Sequence, residues 1–165
     1  MPNRNIALQN TNKQSIIKPI LQQFSPKPMT TVQSIAENTQ SLAELDDNQL
    51  QAALLEGVSR TFALTIPQLP QPLYVAVANA YLLCRIVDTI EDEVSLTANQ
   101  KKYFCSAFID VVKTGNGSES FAEQLAPLLS EQTIPAEHSL IRLTPRVIAI
   151  THSLEAAQIQ ALADC

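Results

Sequence analysis

The sequence predicts an all-α fold in a single domain, and three observations support this prediction. Glycine occurs at only three of 165 positions, and Leu, Ala, Ile, Val and Gln dominate a composition without tryptophan, which favours helix over strand. Apolar residues recur at helical spacing, and no alternating strand pattern or internal repeat is present. With 45% hydrophobic residues, the chain is long enough to bury one core, so we expect a single folded domain.

The chain divides into a polar leader and a folded region. Residues 1–38 are rich in Asn, Gln, Thr and Lys, are broken by Pro19, Pro26 and Pro28, and show no sustained periodicity, so we expect a flexible leader there. Residues 39–165 form the expected domain. Ser41 and Glu44 have the spacing of a capping box, which predicts a first core helix from Ser41 to about Gly57.

Prolines punctuate the next part of the chain. Helix is predicted from Val58 through Ile66, then a corner at Pro67 and Pro70, because proline breaks a helix interior. The following helix begins near Pro72 and extends to about Glu93. Later helices are predicted over Lys101–Thr114, Ser120–Ser130 and Thr144–Ala163.

Charge and cysteine content exclude several functional classes. A net charge of −5 without a Lys/Arg cluster excludes a nucleic-acid partner. Three cysteines without CxxC spacing, and two distant histidines, do not form a disulfide framework or a zinc site. The N-terminus lacks the apolar stretch of a secretory signal, so we expect a cytoplasmic protein. The apolar run Leu73–Val87 is judged too short to cross a bilayer.

The informative element is the acidic end of the helix that begins near Pro72. Tyr81, Arg85, Asp88 and Asp92 are spaced by four, three and four residues, so they share one face of the helix, with Glu91 at its margin. The neighbouring residues are apolar and predict that protein surrounds this helix. A polar stripe on such a helix must face a partner or a wet cavity.

Two carboxylates one helical turn apart suit Mg²⁺, which takes one or two protein carboxylates and completes its shell with water and substrate phosphates. Asp88 and Asp92 therefore predict a magnesium and diphosphate site. The alternative is structural: Arg85 and Asp88 form an ion pair, while Glu91 and Asp92 are merely solvated at a helix end.

Two sequence blocks resemble the squalene/phytoene synthase family of head-to-head isoprenyl diphosphate synthases. They are V-S-R-T-F-A-L-T-I-P at residues 58–67 and A-Y-L-L-C-R-I-V-D-T-I-E-D at residues 80–92. The resemblance spans roughly residue 42 to the C-terminus, and within the family the two blocks are most similar to bacterial squalene synthases. It implies the N-terminal part of an isoprenoid-synthase helical bundle.

The resemblance also implies roles for individual residues. Asp88, Glu91 and Asp92 match the first aspartate-rich motif, which binds Mg²⁺ and substrate diphosphate. Ser59 and Arg60 match a block whose arginine contacts diphosphate. The implied catalytic residues are Phe62 and Tyr81, which line the cavity beside cationic intermediates, and Arg85, which steadies the acidic motif or touches phosphate.

One family feature is missing. The family has a second aspartate-rich motif, whereas after Glu93 the only aspartates are Asp110 and Asp164, neither in a DxxxD setting. We therefore expect a truncated chain, inactive alone, whose missing C-terminal half would be its partner.

The activity that the resemblance implies is squalene synthase: joining two farnesyl diphosphates through presqualene diphosphate, with Mg²⁺ and NADPH. The alternatives are phytoene synthase, which joins two geranylgeranyl diphosphates, and a non-catalytic remnant or interaction protein. The complete enzyme is expected in the cytoplasm, with peripheral association at the inner face of a membrane.

Overall fold

The computed structural model describes residues 31–163, and these residues confirm the all-α prediction. From Val32 onward they belong to one compact unit. No strand occurs within the described range. The α-helices are α1 (Thr31–Ala43), α2 (Asp47–Val58), α3 (Arg60–Thr65), α4 (Gln71–Asp92), α5 (Ala98–Thr114), α6 (Ser118–Leu125), α7 (Pro135–Arg142), α8 (Thr144–Ser153) and α9 (Ala156–Ala163). Two 3-10 turns, Ile66–Gln68 and Ala126–Leu128, follow α3 and α6.

Helix α1 corrects the predicted boundary after residue 38. Residues 31–38 are helical, and Ile35 is only 5% exposed. Asn38 donates from its amide nitrogen to the Ser139 hydroxyl at 3.2 Å, which fixes α1 against α7. Contacts with residues distant in sequence therefore stabilise this polar segment as a helix, although its sequence lacks an apolar periodicity. Residues 1–30 of the predicted leader lie outside the described residues.

The predicted capping box at Ser41 and Glu44 is wrong. Helix α1 continues through Ser41, and the box lies five residues later, at Asp46 and Gln49. The Gln49 amide nitrogen donates to the Asp46 carboxylate at 2.9 Å, and the Asp46 amide nitrogen donates to the Gln49 side chain at 3.2 Å. Aspartate and glutamine satisfy the same unpaired helix donors as serine and glutamate, so α2 begins at Asp47.

The helix predicted through Ile66 is interrupted at Ser59. Ser59 has extended backbone angles (φ −159°, ψ 108°), ending α2 and starting α3. Its hydroxyl accepts a hydrogen bond from the Phe62 amide at 3.3 Å, as an N-cap does. The predicted corner at Pro67 and Pro70 is confirmed, since α4 starts directly after it.

Helix α4 is the central element of the fold. It packs against α2, α5, α7 and α8. Leu82, Ile86 and Ile90 are completely buried at these contacts, and each contributes about 1.5–3 kcal/mol through burial. The prediction that the apolar run of this helix is too short to cross a bilayer was wrong. By length and composition alone, Leu73–Asp92 is long and apolar enough to do so. A core helix passes the same test, and these apolar faces contact other helices.

The later helices differ from prediction mainly at their ends. Helix α5 starts at Ala98, earlier than predicted, because Thr97 and Gln100 form a capping box. Gly115, at φ +73°, ends it in the left-handed region that suits glycine. Helix α7 was not predicted. The helix predicted over Thr144–Ala163 is two helices, since the chain is non-helical at residues 154 and 155.

A buried polar chain joins α2, α4 and α8. Asn79 is fully buried, and its amide nitrogen donates to the Thr151 hydroxyl at 2.6 Å. Its carbonyl oxygen accepts from the Gln51 amide nitrogen at 3.2 Å. Buried polar groups must be hydrogen-bonded to be tolerated, so this chain fixes how the three helices align.

Substituting Asn79→Ala should lower the free energy of unfolding by about 2 kcal/mol, because it removes the buried hydrogen bonds that join α4 to Gln51 on α2 and to Thr151 on α8. Urea denaturation monitored by circular dichroism measures this. The matched control is Asn99→Ala on the exposed first turn of α5, which should change stability by less than about 0.5 kcal/mol. Equal effects of both substitutions would contradict a structural role for Asn79.

Candidate functional site

The polar stripe predicted on α4 is present as one face of that helix. Tyr81 is half-buried, the Arg85 side chain is 24% exposed and the Asp88 side chain is 49% exposed. Asp92 and Glu91 are exposed in the last turn. The stripe is therefore half-buried at Tyr81 and Arg85 and exposed in its last turn, so a ligand can reach the carboxylates.

Arg85 lies between two carboxylates. Its Nη1 atom is 3.4 Å from Asp88 Oδ2, so the ion pair of the structural alternative exists. Its Nη2 atom makes a closer contact to Glu137 Oε1 on α7. The Glu137 side chain is only 13% exposed, and the sequence did not point to this residue. The arginine is thus shared between the acidic stripe and a neighbouring helix.

The acidic motif lies at the electrostatically unfavourable end of α4. The C-terminus of a helix carries partial negative charge, which favours cations and disfavours carboxylates. Asp88, Glu91 and Asp92 fall in the last five residues, and the last turn contains no basic residue. Lys101 compensates in part by donating from its ammonium group to the Glu91 carbonyl oxygen. The remaining negative charge favours a bound cation at this end.

Glu93 adds a further negative charge next to the motif. It is 2% exposed, and its carboxylate accepts hydrogen bonds from the Thr133 hydroxyl at 2.6 Å, the Ser95 amide at 2.8 Å and the Ser130 amide at 2.9 Å. Burial by itself raises the pKa of Glu93, but these hydrogen bonds outweigh it and lower the pKa from 4.5 to about 2. Glu93 is therefore ionised at neutral pH and fastens residues 130–133 to the end of α4.

A polar cleft of about 170 Å³ opens between the end of α4 and the start of α7. Its lining includes Asp92, Glu93, Gln132, Thr133 and Glu137. The cleft is thus formed by the end of α4 and by the segment that leads into α7, and it borders the acidic motif at Asp92.

The donor set fits magnesium only together with a ligand that brings its own oxygens. Within residues 31–163, no group of three or more His, Cys, Asp or Glu side chains is arranged to hold a metal ion. Asp88, Glu91 and Asp92 therefore do not form a closed cage. Mg²⁺ retains water and accepts one or two carboxylates plus phosphate oxygens, and the exposed Asp88 and Asp92 can supply those two.

The two sequence blocks meet through an aromatic contact. The Phe62 ring on α3 lies 4.6 Å from the Tyr81 ring on α4, measured between centroids, with a 40° angle between planes. Tyr81 also packs against a small apolar cluster that contains Leu55, Ile66, Tyr74 and Ala78. Phe62 remains 45% exposed. A partly open aromatic surface therefore continues the polar stripe away from the carboxylates.

The remaining predicted residues lie elsewhere. Ser59 is half-buried and acts as the N-cap of α3. Arg60 is exposed at the start of α3 and lines a cleft of about 660 Å³ between α2 and α3. Neither Asp88 nor Asp92 lines that cleft. Arg60 therefore lies beside a different cleft, and its contact with a diphosphate held at the stripe stays a prediction.

Sequence reasoning missed Glu93 and Glu137. Helix α7 begins with Pro135 at its first position and has Glu137 in its first turn, a pattern that marks a helix start. That pattern could have predicted α7. It could not have predicted the partner of Glu137, since Arg85 lies 52 residues away.

Known proteins resemble parts of the chain. The sequence matches the family model for squalene/phytoene synthase over residues 55–146. It is 48% identical over 48 residues to squalene synthase from Solanum lycopersicum, which is 29% of this chain and 12% of that protein. It is 47% identical over 49 residues to squalene synthase from Nicotiana benthamiana, or 30% of this chain and 12% of that protein. Squalene synthase BSS from Botryococcus braunii is 31% identical over 94 residues, or 56% of this chain and 20% of that protein.

The fold and the acidic stripe define an all-α protein of isoprenoid-synthase type, and the family match covers more than half of the chain. The chain belongs to the squalene/phytoene synthase family. The matched segments span at most 20% of the length of these curated relatives. None of the three is bacterial, so the resemblance to bacterial squalene synthases stays a prediction. No solved structure matches the chain significantly.

Substituting Glu93→Gln should lower the free energy of unfolding at pH 7 by roughly 1–3 kcal/mol. The pKa of Glu93 is lower in the folded state, so its ionised form stabilises the fold above pH 4.5, and this stabilisation is lost as the pH falls towards 2. The difference between wild type and variant should therefore shrink by more than half at pH 3.

Urea denaturation at pH 7 and pH 3, in the presence of a chelator, measures this difference. Glu123→Gln, an exposed position on α6, is the control for loss of one negative charge. A stability difference for Glu93→Gln that is the same at both pH values would contradict the role given to its ionised form.

Proposed function

We propose that the chain carries a magnesium-dependent diphosphate-binding site of a squalene synthase-type transferase. The reaction is the head-to-head condensation of two farnesyl diphosphates to squalene through presqualene diphosphate, with NADPH as the reductant. The family match supports the transferase class, and all three relatives described above are squalene synthases. That agreement favours farnesyl over geranylgeranyl diphosphate.

One observation carries the proposal: a partly open aromatic surface, formed by Phe62 of α3 and Tyr81 of α4, continues along α4 into an exposed carboxylate pair. Tyr81 contacts Phe62 at one end of the stripe, and Asp88 and Asp92 lie at the other. A prenyl diphosphate has the matching polarity, with an apolar chain and an anionic head. Aromatic faces also stabilise carbocations where water is excluded.

Each residue of the stripe has a distinct task in this proposal. Asp88 and Asp92 would hold Mg²⁺ together with oxygens of the diphosphate, and Glu91 adds negative charge beside them. Mg²⁺, when bound, neutralises the charge that develops on the leaving diphosphate. Arg85 orients the head group through its guanidinium, and the rings of Tyr81 and Phe62 line the path of the reacting carbon. Ser59 and Arg60 are proposed to contact diphosphate as in the family block that they match.

Substituting Asp88→Asn and Asp92→Asn should each weaken magnesium-dependent binding of farnesyl thiodiphosphate at least about ten-fold. Removal of even an outer partner of a metal site has effects of this size. Isothermal titration calorimetry with Mg²⁺, and again with a chelator, measures the binding. With the chelator, the wild-type chain should lose its affinity as well.

Asp110→Asn is the matched control, because Asp110 is an exposed aspartate on α5 outside the stripe, and this variant should bind like wild type. Binding that is unaffected by chelation and by both stripe substitutions would contradict the site. Tighter binding of the geranylgeranyl analogue would shift the proposal to phytoene synthase. An interaction protein would bind neither analogue.

The chain by itself is expected to form no squalene when incubated with farnesyl diphosphate, Mg²⁺ and NADPH. Two diphosphates require two carboxylate sites, and the sequence contains a single aspartate-rich motif. Extraction and gas chromatography of the lipid products measure the outcome, with a complete squalene synthase as the positive control. Squalene formed by this chain would contradict the requirement for a second motif.

A further inference from the structure

The shared position of Arg85 has a consequence for Asp88. Arg85 and Asp88 are three residues apart on one helix, so they can pair without any rearrangement of the backbone. A fully engaged pair would cover an Asp88 oxygen and cancel its charge. The same oxygen could not then bind a cation. A second carboxylate that attracts the guanidinium would therefore make Asp88 a stronger metal ligand.

Glu137 is placed to attract the guanidinium. Arg85 Nη2 contacts Glu137 Oε1, whereas the 3.4 Å distance from Arg85 Nη1 to Asp88 Oδ2 is longer than an ordinary hydrogen bond. The Glu137 side chain is 13% exposed, whereas that of Asp88 is 49% exposed, so water screens the Asp88 pair more strongly. Both geometry and screening therefore favour Glu137 as the main partner of Arg85.

The position of Glu137 is itself fixed relative to α4. The segment that precedes α7 is tied to the end of α4 by the Glu93 carboxylate, which accepts from Thr133 at 2.6 Å and from Ser130 at 2.9 Å. His138, the next residue in α7, lies 3.1 Å from the Ser130 carbonyl oxygen through its Nε2 atom. These contacts hold the first turn of α7 beside the acidic motif.

We infer that Glu137 is a positioning residue for the proposed magnesium site: it draws the Arg85 guanidinium towards α7 and leaves Asp88 free to bind the cation. This inference rests on the proposed function. A purely structural ion pair between α4 and α7 would also explain the contact, but it would affect only stability. Only the positioning role predicts that loss of Glu137 changes the Mg²⁺ concentration needed for diphosphate binding.

The test uses the full chain and inorganic diphosphate as the probe. The measured quantity is the Mg²⁺ concentration that gives half-maximal diphosphate binding. In Glu137→Gln, Arg85 turns fully to Asp88, so this concentration should rise about five-fold, within the range of coupling between contacting residues. Glu131→Gln is the matched control, because Glu131 is an exposed acid in the segment before α7, and it should leave the concentration unchanged.

A second comparison tests whether Glu137 affects Mg²⁺ binding through Arg85 and not through a general change in the protein. It does not require Glu137→Gln to fold. Removing both charges avoids an unpaired buried charge, so Arg85→Gln/Glu137→Gln should remain folded. Its half-maximal Mg²⁺ concentration should equal that of Arg85→Gln alone. A further rise in the double variant would overturn the inference.

The outcomes distinguish the two proposals. Absence of magnesium-dependent binding in the wild-type chain would overturn the proposed function and this inference with it. Normal wild-type binding, with an unchanged half-maximal Mg²⁺ concentration in folded Glu137→Gln, would overturn the role of Glu137 alone. Loss of thermal stability without that change would assign the pair a structural role.

Discussion

The C-terminal end of α4 combines two demands that ordinarily conflict. The helix must pack its apolar faces against α2, α5, α7 and α8, and yet its last five residues contain three carboxylates. Carboxylates at this end oppose the helix dipole, and their mutual repulsion adds to the cost. Arg85 and Lys101 offset part of that cost, and hydrogen bonds stabilise the additional carboxylate of Glu93. The negative charge that remains at this end of α4 favours the binding of a cation.

The same constraint explains why α7 lies where it does. Glu93 and Arg85 contact, respectively, the segment before α7 and the first turn of α7. A helix that supplies a carboxylate to a shared arginine changes which partner that arginine prefers. Charge at the site is therefore set by the tertiary fold as well as by the acidic motif. Local rules are commonly violated at functional sites and compensated nearby.

Much of this could be predicted from the sequence, because it depends on local patterns. The stripe on α4 follows from helical spacing, and the corner at Pro67 and Pro70 follows from proline chemistry. The start of α2 was misplaced because Ser41 and Asp46 offer similar capping signals, and only packing decides between them. The roles of Glu93 and Glu137 could not be predicted, since both depend on contacts with residues more than 35 positions away. For Arg60, the sequence motif could be recognised locally, but its position relative to the stripe depends on the tertiary fold.

The central claim is that a cation binds at the acidic end of α4, and paramagnetic NMR tests it most directly. Mn²⁺ can replace Mg²⁺ in the presence of inorganic diphosphate, and it broadens the amide signals of nearby residues in the ¹⁵N-labelled chain. Broadening should appear first at residues 88–93 and 130–137 and should vanish when excess Mg²⁺ is added. Broadening that is uniform over the chain, or that centres on Asp110 instead, would contradict the claim.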